Sequence, residues 1–187
     1  MLTLTDQDQQ QLLNTAVEAI QHGLEYSEEL VIEVDEFSEP LQNPGAVFIT
    51  LRCSGVLRGC TGTLEPVHPI ASAVAKFAYN TAFHDPRFPP LEPTELNNSS
   101  ISISILSPKE EMSFTNEANL IDQIVPGTDG LIVEYSGQRG TLLPSVWDTI
   151  EDKRDFFYTV KQKAGFEREF WSDCIRVYRY TTLTFKN

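Results

Sequence analysis

The chain has 187 residues, 41% of them apolar and 22% charged, which suits one globular domain, with or without a small second lobe, and excludes a disordered chain. Its net charge of −13, from 27 acidic and 14 basic residues, repels phosphate backbones and anionic lipid, so nucleic acid and membrane surfaces are not expected partners. No apolar run is long enough to span a bilayer, and MLTLTDQDQQ lacks the basic flank and apolar stretch of a signal peptide. Three cysteines (Cys53, Cys60 and Cys174) without CxxC spacing predict neither a disulfide framework nor a structural zinc site. A cytoplasmic protein with free thiols, and with no metal or cofactor, is the expectation.

TDQDQQQLLNTAVEAIQHG predicts an amphipathic helix. Thr5 caps it, Asp6 and Asp8 suit its positive end, Leu13, Ala16, Val17 and Ile20 form its apolar stripe, and Gly23 is placed to end it. AVFITLRCSGVLRGCTGTL then reads as a β-hairpin turning at Ser54-Gly55, with Val47, Ile49 and Leu51 alternating with Phe48, Thr50 and Arg52. A second helix follows, with Pro69 near its first turn and Ile70, Ala73, Val74, Phe77 and Ala78 facing inward; Pro86, Pro89 and Pro90 cannot continue it. The alternation of Ile101, Ile103 and Ile105 predicts a strand.

Residues 107–129 read as a connection with a helical turn around NLIDQI. PGTDGLIVEYSGQRGTLLP predicts a second hairpin turning near Ser136-Gly137. A helix carrying Phe156, Phe157, Val160 and Ala164 runs up to Gly165, and DCIRVYRYTTLTF closes the chain as a strand. Hairpins outnumber parallel crossovers, so the class is α+β with a mainly antiparallel sheet and flanking helices. A faint internal echo, LRGC in one hairpin and QRGT in the other, each followed by helix and strand, hints at a duplicated unit.

The chemistry centres on GVLRGCTGTLEP. Gly59 and Gly62 bracket Cys60 on a bare stretch of backbone that can approach other chain closely or present N–H groups to an anion. Strand periodicity puts Arg58 on the face of Cys60, and a guanidinium beside a thiol favours the thiolate. The competing reading makes Cys60 a small buried hydrophobe. A thiol catalyst also wants a base, and His84, at the head of HDPRFPPL, is the candidate, with Asp85 as its orienter. Arg87 either recognises a carboxylate or phosphate bidentately or, paired with Asp85, pins a rigid corner. Arg139, in GQRGTLLPSVW, either serves an anion site or holds its loop. Trp171, Tyr178 and Tyr180 read as packing residues. No Walker, GxGxxG, HExxH, GxSxG or EF-hand spacing occurs.

The blocks GAVFITL…GVLRGCTGTLEP, AFHDPRFPPLEPTEL, ISISILSP, PGTDGLIVEYSGQRGTLLPSVW and FFYTVKQKAGF…FW, in this order from about residue 45 to residue 171, resemble the AMMECR family, whose prokaryotic members are called AmmeMemoRadiSam system protein A. The resemblance implies one AMMECR-like domain over residues 1–187, α+β, with a large and a small lobe of unspecified boundary and duplicated β-α units on one curved sheet. It marks the LRGC-x-G segment (Leu57, Arg58, Gly59, Cys60 and Gly62) as the functional site, with Thr61 replacing the usual isoleucine and adding a hydroxyl beside the thiol. Asp85, Arg87, Phe88, Arg139 and Pro144 match the family pattern, whereas His84 is not a family feature. The family has no established biochemical activity, and the resemblance implies a Memo-like protein and a radical S-adenosylmethionine enzyme as partners. Two functions follow as expectations. One is a thiol-dependent enzyme, or component of one, using Cys60 and Arg58 with Gly59, Gly62, Asp85, Arg87 and Arg139 on an anionic substrate. The other is a non-enzymatic module that binds partners of such a system.

Overall fold

Thr5 starts helix α1 (Asp6–Tyr26) in the computed structural model of the chain, which describes residues 3–187. Its hydroxyl accepts from the Asp8 N–H, and the Asp8 carboxylate accepts from the Thr5 N–H at 2.9 Å, a reciprocal capping box. Ser38 and Thr5 donate to that carboxylate and hold it below the usual carboxylate range. The helix runs past Gly23 to Ser27, whose left-handed φ of 60° ends it. Gly23 instead gives room to the next helix, because a Cβ there would sit 2.4 Å from the Phe83 ring and 2.7 Å from that of Tyr79.

The chain divides into two compact units, one made of residues up to Leu106 with Leu183–Asn187, the other of Ser107–Thr182. In the first unit, after short helix α2 (Glu39–Gln42), β1 (Pro44–Cys53) and β2 (Val56–Gly62) form the first hairpin. The two-residue β3 (His68–Pro69) pairs with the start of β1 and leads into α3 (Ile70–Phe83). Helix α4 (Pro93–Leu96) precedes β4 (Ser99–Leu106), which returns antiparallel to β1. Strand β9 (Thr182–Lys186) completes the order β2-β1-β4-β9. Val47, Ile49 and Leu51 of β1 and Ile101, Ile103 and Ile105 of β4 are buried in one core with the apolar stripes of α1 and α3. The period-two pattern of the strands therefore meets the helical stripes on one face of this sheet.

The second unit repeats the plan. After β5 (Glu110–Glu111) and α5 (Glu117–Gln123), β6 (Gly130–Tyr135) and β7 (Gln138–Leu142) make the second hairpin. Helix α6 (Lys153–Lys163) follows, and β8 (Arg176–Tyr180) returns antiparallel to β6, giving the order β5-β8-β6-β7. Leu131, Val133, Phe156, Phe157, Val160 and Val177 centre its core. Trp147 stacks on Phe156 at 3.8 Å and donates its indole N–H to the Asp129 carbonyl at 2.8 Å.

The fold class is α+β with antiparallel sheets. Where one curved sheet is expected, there are two, because each hairpin pairs with the strand after its own helix. The strand expected over DCIRVYRYTTLTF is likewise two, β8 and β9. Its apolar residues serve both cores, Val177 the second and Leu183 and Phe185 the first.

Candidate functional site

Gly59 sits where α3 crosses β2. A Cβ at this position would lie 2.3 Å from the Thr81 carbonyl oxygen, so the bare backbone lets helix and strand touch. Gly62 makes a like contact within the sheet, 2.3 Å from the Val47 carbonyl oxygen. Both glycines of the motif thus serve close approach. Thr61 reinforces the first contact: its hydroxyl meets Thr81 Oγ1 at 2.7 Å and donates to the Phe77 carbonyl at 3.2 Å. The extra hydroxyl expected beside the thiol is therefore directed at α3.

Cys60 faces the opposite side of the sheet, directly across from Thr50. Its sulfur is half-buried and accepts a hydrogen bond from Thr50 Oγ1 at 3.5 Å. Strand β2 is an edge of its sheet, and Cys60 turns its N–H and C=O outward from that edge. Two side chains of the segment after α3 take the place of a neighbouring strand. Asp85 Oδ2 accepts the Cys60 N–H at 2.8 Å, and Arg87 Nη2 donates to the Cys60 carbonyl at 3.1 Å. Asp85 and Arg87 are themselves joined by Nε–Oδ1 and Nη2–Oδ2 bonds of 2.9 and 2.7 Å. The carboxylate is buried at 3% exposure, whereas the Arg87 side chain is 55% exposed. Arg87 holds the Asp85 carboxyl far below the usual carboxylate range against the opposing effect of burial, and the Cys60 N–H adds to the pull. The anion expected at this backbone is thus the protein's own carboxylate.

Arg58 is not on the Cys60 face. The hairpin register shifts here: Leu51 faces Gly59 and Arg52 faces Leu57, leaving Arg58 as the unpaired residue of a β-bulge. The bulge sends its guanidinium to α4, where Glu95 takes it in a bidentate pair of 2.7 and 3.0 Å. Arg58 also donates to the Pro90 carbonyl at 3.2 Å. Its side chain is 11% exposed, and its Nη1 is buried with no hydrogen-bond partner among the described residues. Arg58, and after it the Glu92 N–H, hold the Glu95 carboxyl below its usual range. The Phe88 ring lies beside both guanidiniums, 5.9 Å from that of Arg58 and 5.5 Å from that of Arg87. Of the thiols, Cys53 lies at the residue that pairs with Arg58, its Sγ 3.8 Å from the Glu95 carbonyl oxygen, and Cys60 is the one whose own carbonyl is bound by Arg87.

His84 follows the last turn of α3, and its imidazole packs on Tyr79 at 5.2 Å. Tyr79 faces α1, donating its hydroxyl to the Ser27 carbonyl, so the structure does not bring His84 to the sulfur of Cys60. Arg139 belongs to the second unit, opposite Glu134 across the β6–β7 hairpin, with its Nε 3.0 Å from Glu134 Oε1. Among the described residues no group of three or more His, Cys, Asp and Glu side chains could hold a metal ion. Nor is any helix there long and apolar enough to cross a membrane. Sequence reading missed Glu95 and Thr50. The E-P-T-E spacing of Glu92 and Glu95, a helix-capping signature, was the available signal for Glu95.

A hairpin that lays a glycine against the following helix, with a strand returning beside it, occurs twice in the chain. This defines an α+β protein of two similarly built units, with Cys60 on the first hairpin. The chain belongs to the AMMECR1 family, whose pattern matches residues 13–185. It is 37% identical over 180 residues to a protein of Methanothermobacter thermautotrophicus, covering 93% of this chain and 91% of that one. It is 36% identical over 187 residues to a protein of Thermofilum pendens, covering 93% and 87%. The crystal structure of an uncharacterized protein from Pyrococcus horikoshii superposes with a TM-score of 0.91 at 32% identity, covering 98% of this chain and 93% of that chain.

Proposed function

We propose that the protein acts through the Cys60 edge of β2, with the thiol as the reacting group and Arg87 as the group that receives an anionic part of the substrate. One observation carries this reading. Arg87 is fixed on two sides by Asp85 and by the Cys60 carbonyl, yet more than half of its side chain stays exposed beside the thiol. Arg168 and Arg176 are as exposed in their ion pairs, but their carboxylates are exposed too, whereas Arg87 is held by a buried one and Arg58 is itself buried. Fixing a charge before a substrate arrives removes an ordering cost from binding and from reaction. Arg58 and Glu95 then brace the loop that carries Arg87, and Thr50 supplies a hydrogen bond to the sulfur.

The test compares alkylation of Cys60 across pH with that of Cys53 and Cys174 in the same molecule, in the native chain and in Arg87→Ala. The proposal requires Cys60 to react faster at pH 7 than the same cysteine in an unfolded peptide, and that advantage to shrink in Arg87→Ala. A Cys60 no faster than the peptide overturns it.

A second reading has its own support: Asp85 and Arg87 spend their bonds on each other and on the Cys60 backbone, and Arg58 spends its own on Glu95 and the Pro90 carbonyl. On this reading the signature is a rigid docking edge for a Memo-like or radical S-adenosylmethionine partner. Cys60→Ser would then leave complex formation and cellular function intact, whereas the first reading requires function to be lost in a normally folded protein.

A further inference from the structure

The segment Glu29–Val34, between α1 and the helical turn at Val34–Glu36, behaves as a strand without a sheet. Leu30, Ile32 and Val34 are partly buried while Glu29, Val31 and Glu33 are exposed, an alternation kept over all six residues. Leu30 and Ile32 pack on the first core, and Glu33 has strand-like dihedrals, φ −87° and ψ 107°. This is the period of a strand with one buried face. Yet among the described residues the N–H and C=O groups of residues 28–32 make no backbone hydrogen bond. A row of unpaired backbone groups is a template for an added strand.

Two further features say what would be added. A groove of about 190 Å³ runs between Glu29–Ile32 and a wall made by His68 and by Ser72, Ala75 and Lys76 of α3. Its rim carries Val31, an apolar side chain 86% exposed to water. The charge of the segment itself is one-sided, with Lys76 of the facing wall the one lysine or arginine lining the groove: seven acidic residues and no basic one lie from Glu25 to Glu39, and no lysine or arginine precedes Arg52.

We propose that Glu29–Val34 is a docking strand that takes an extended, basic segment of a partner protein by strand addition. The free N–H and C=O groups supply the backbone ladder, and side chains at alternate positions supply selectivity. Glu29 and Glu33 face lysine or arginine at two partner positions, and Val31 faces an apolar residue between them. A second copy of this chain fits poorly, because it would set glutamate against glutamate across the pair. The proposal rests on neither reading of Cys60.

The test uses the whole chain and the peptide Thr-Lys-Thr-Val-Thr-Lys-Thr, with a scrambled peptide of the same composition as control. The alternating peptide is expected to bind, to slow hydrogen exchange at the amides of residues 29–33, and to weaken as salt is raised. N-methylation of its strand-facing amides abolishes binding, and the double variant Glu29→Lys/Glu33→Lys, both exposed positions, weakens it by about tenfold or more. Equal binding of the scrambled peptide, no protection of these amides, or no binding at millimolar peptide overturns the proposal. Dimerisation with concentration that protects the same amides would assign the strand to a second copy and overturn it as well.

Discussion

The two hairpins use one frame and differ by a single residue in the length from turn to glycine. Both turn at Ser-Gly with the same left-handed dihedrals, φ 50° and 82° at Ser54-Gly55 and φ 50° and 80° at Ser136-Gly137. Both place a glycine under the next helix. A Cβ on Gly59 would lie 2.3 Å from the Thr81 carbonyl oxygen, and one on Gly140 would lie 2.3 Å from the Ala164 nitrogen. From turn to glycine, however, the first hairpin has one residue more. The second keeps regular register, with Glu134 opposite Arg139 and Val133 opposite Gly140. The first absorbs the extra residue as the bulge at Arg58. The arginines of LRGC and QRGT therefore match in sequence but not in register, since Leu57 occupies the place of Arg139. The position after the glycine differs too. Thr141 is tied to the Leu131 carbonyl and the Tyr180 hydroxyl, each at 2.8 Å, and burial pushes the Tyr180 phenol up to about 12, so it stays a neutral hydrogen-bonding group. Cys60, its counterpart, makes one long hydrogen bond and keeps a half-buried sulfur. The frame thus explains the glycines, and the departures from it, Arg58 and Cys60, are where function is to be sought.

The largest effects test the shared frame. Gly59→Ala and Gly140→Ala each drive a methyl into helix backbone, which cannot swing aside as a side-chain tip can. Each is expected to cost about 3 kcal/mol, read as a lowered denaturant midpoint. Tolerance of one and not the other would break the equivalence of the two hairpins. Next in size is Asp85→Ala, which strands the Cys60 N–H and the Arg87 guanidinium and should cost about 2–3 kcal/mol. Asp85 also has a pH signature. Its folded-state pKa is depressed, so its contribution is fully present above the unfolded carboxylate value of about 3.9 and is lost as pH falls below that. Asp85→Asn should therefore be less stable than the native chain at pH 7, with the gap narrowing toward pH 2. A gap that stays constant would remove the ion pair from the account.

How much of this was legible in the sequence depended on whether the signal was periodic. The capped start of α1, both Ser-Gly turns and the alternating isoleucines of β4 follow from local rules, and each is present. The end of α1 was misplaced because a glycine in a helix marks either a stop or a close contact, and which one depends on Tyr79 and Phe83, more than fifty residues away. The same ambiguity hid the geometry at the site. Period two assigns Arg58 and Cys60 to one face, and a bulge, which adds a residue without a distinctive composition, cancels that. Asp85 and Arg87 were visible as a pair in DPR, but their role as a substitute strand at the β2 edge depends on where α3 ends.

A smaller effect compares the arginines. Arg58→Ala removes a bidentate bond to Glu95 and a bond to the Pro90 carbonyl in a largely buried setting, and should cost about 2 kcal/mol. Arg139→Ala, with its ion pair to Glu134 more open to solvent, should cost about 1 kcal/mol or less. Equal losses would mean that the bulge carries no special load.

The smallest expected change in stability is at Cys60. Cys60→Ser replaces a half-buried sulfur with one 3.5 Å neighbour by a smaller hydroxyl that can still meet Thr50, so the midpoint should move by about 0.5 kcal/mol or less. Cys60→Thr goes further and installs the residue that the second hairpin uses. If the frame alone dictates this position, threonine should be accepted as readily as serine. If threonine is accepted but function is lost, the cysteine is kept for its chemistry, because folding at this place does not require it. If instead both variants fall by about 2 kcal/mol or more, the sulfur is a packing atom, and the search for function moves to the exposed edge of Arg87.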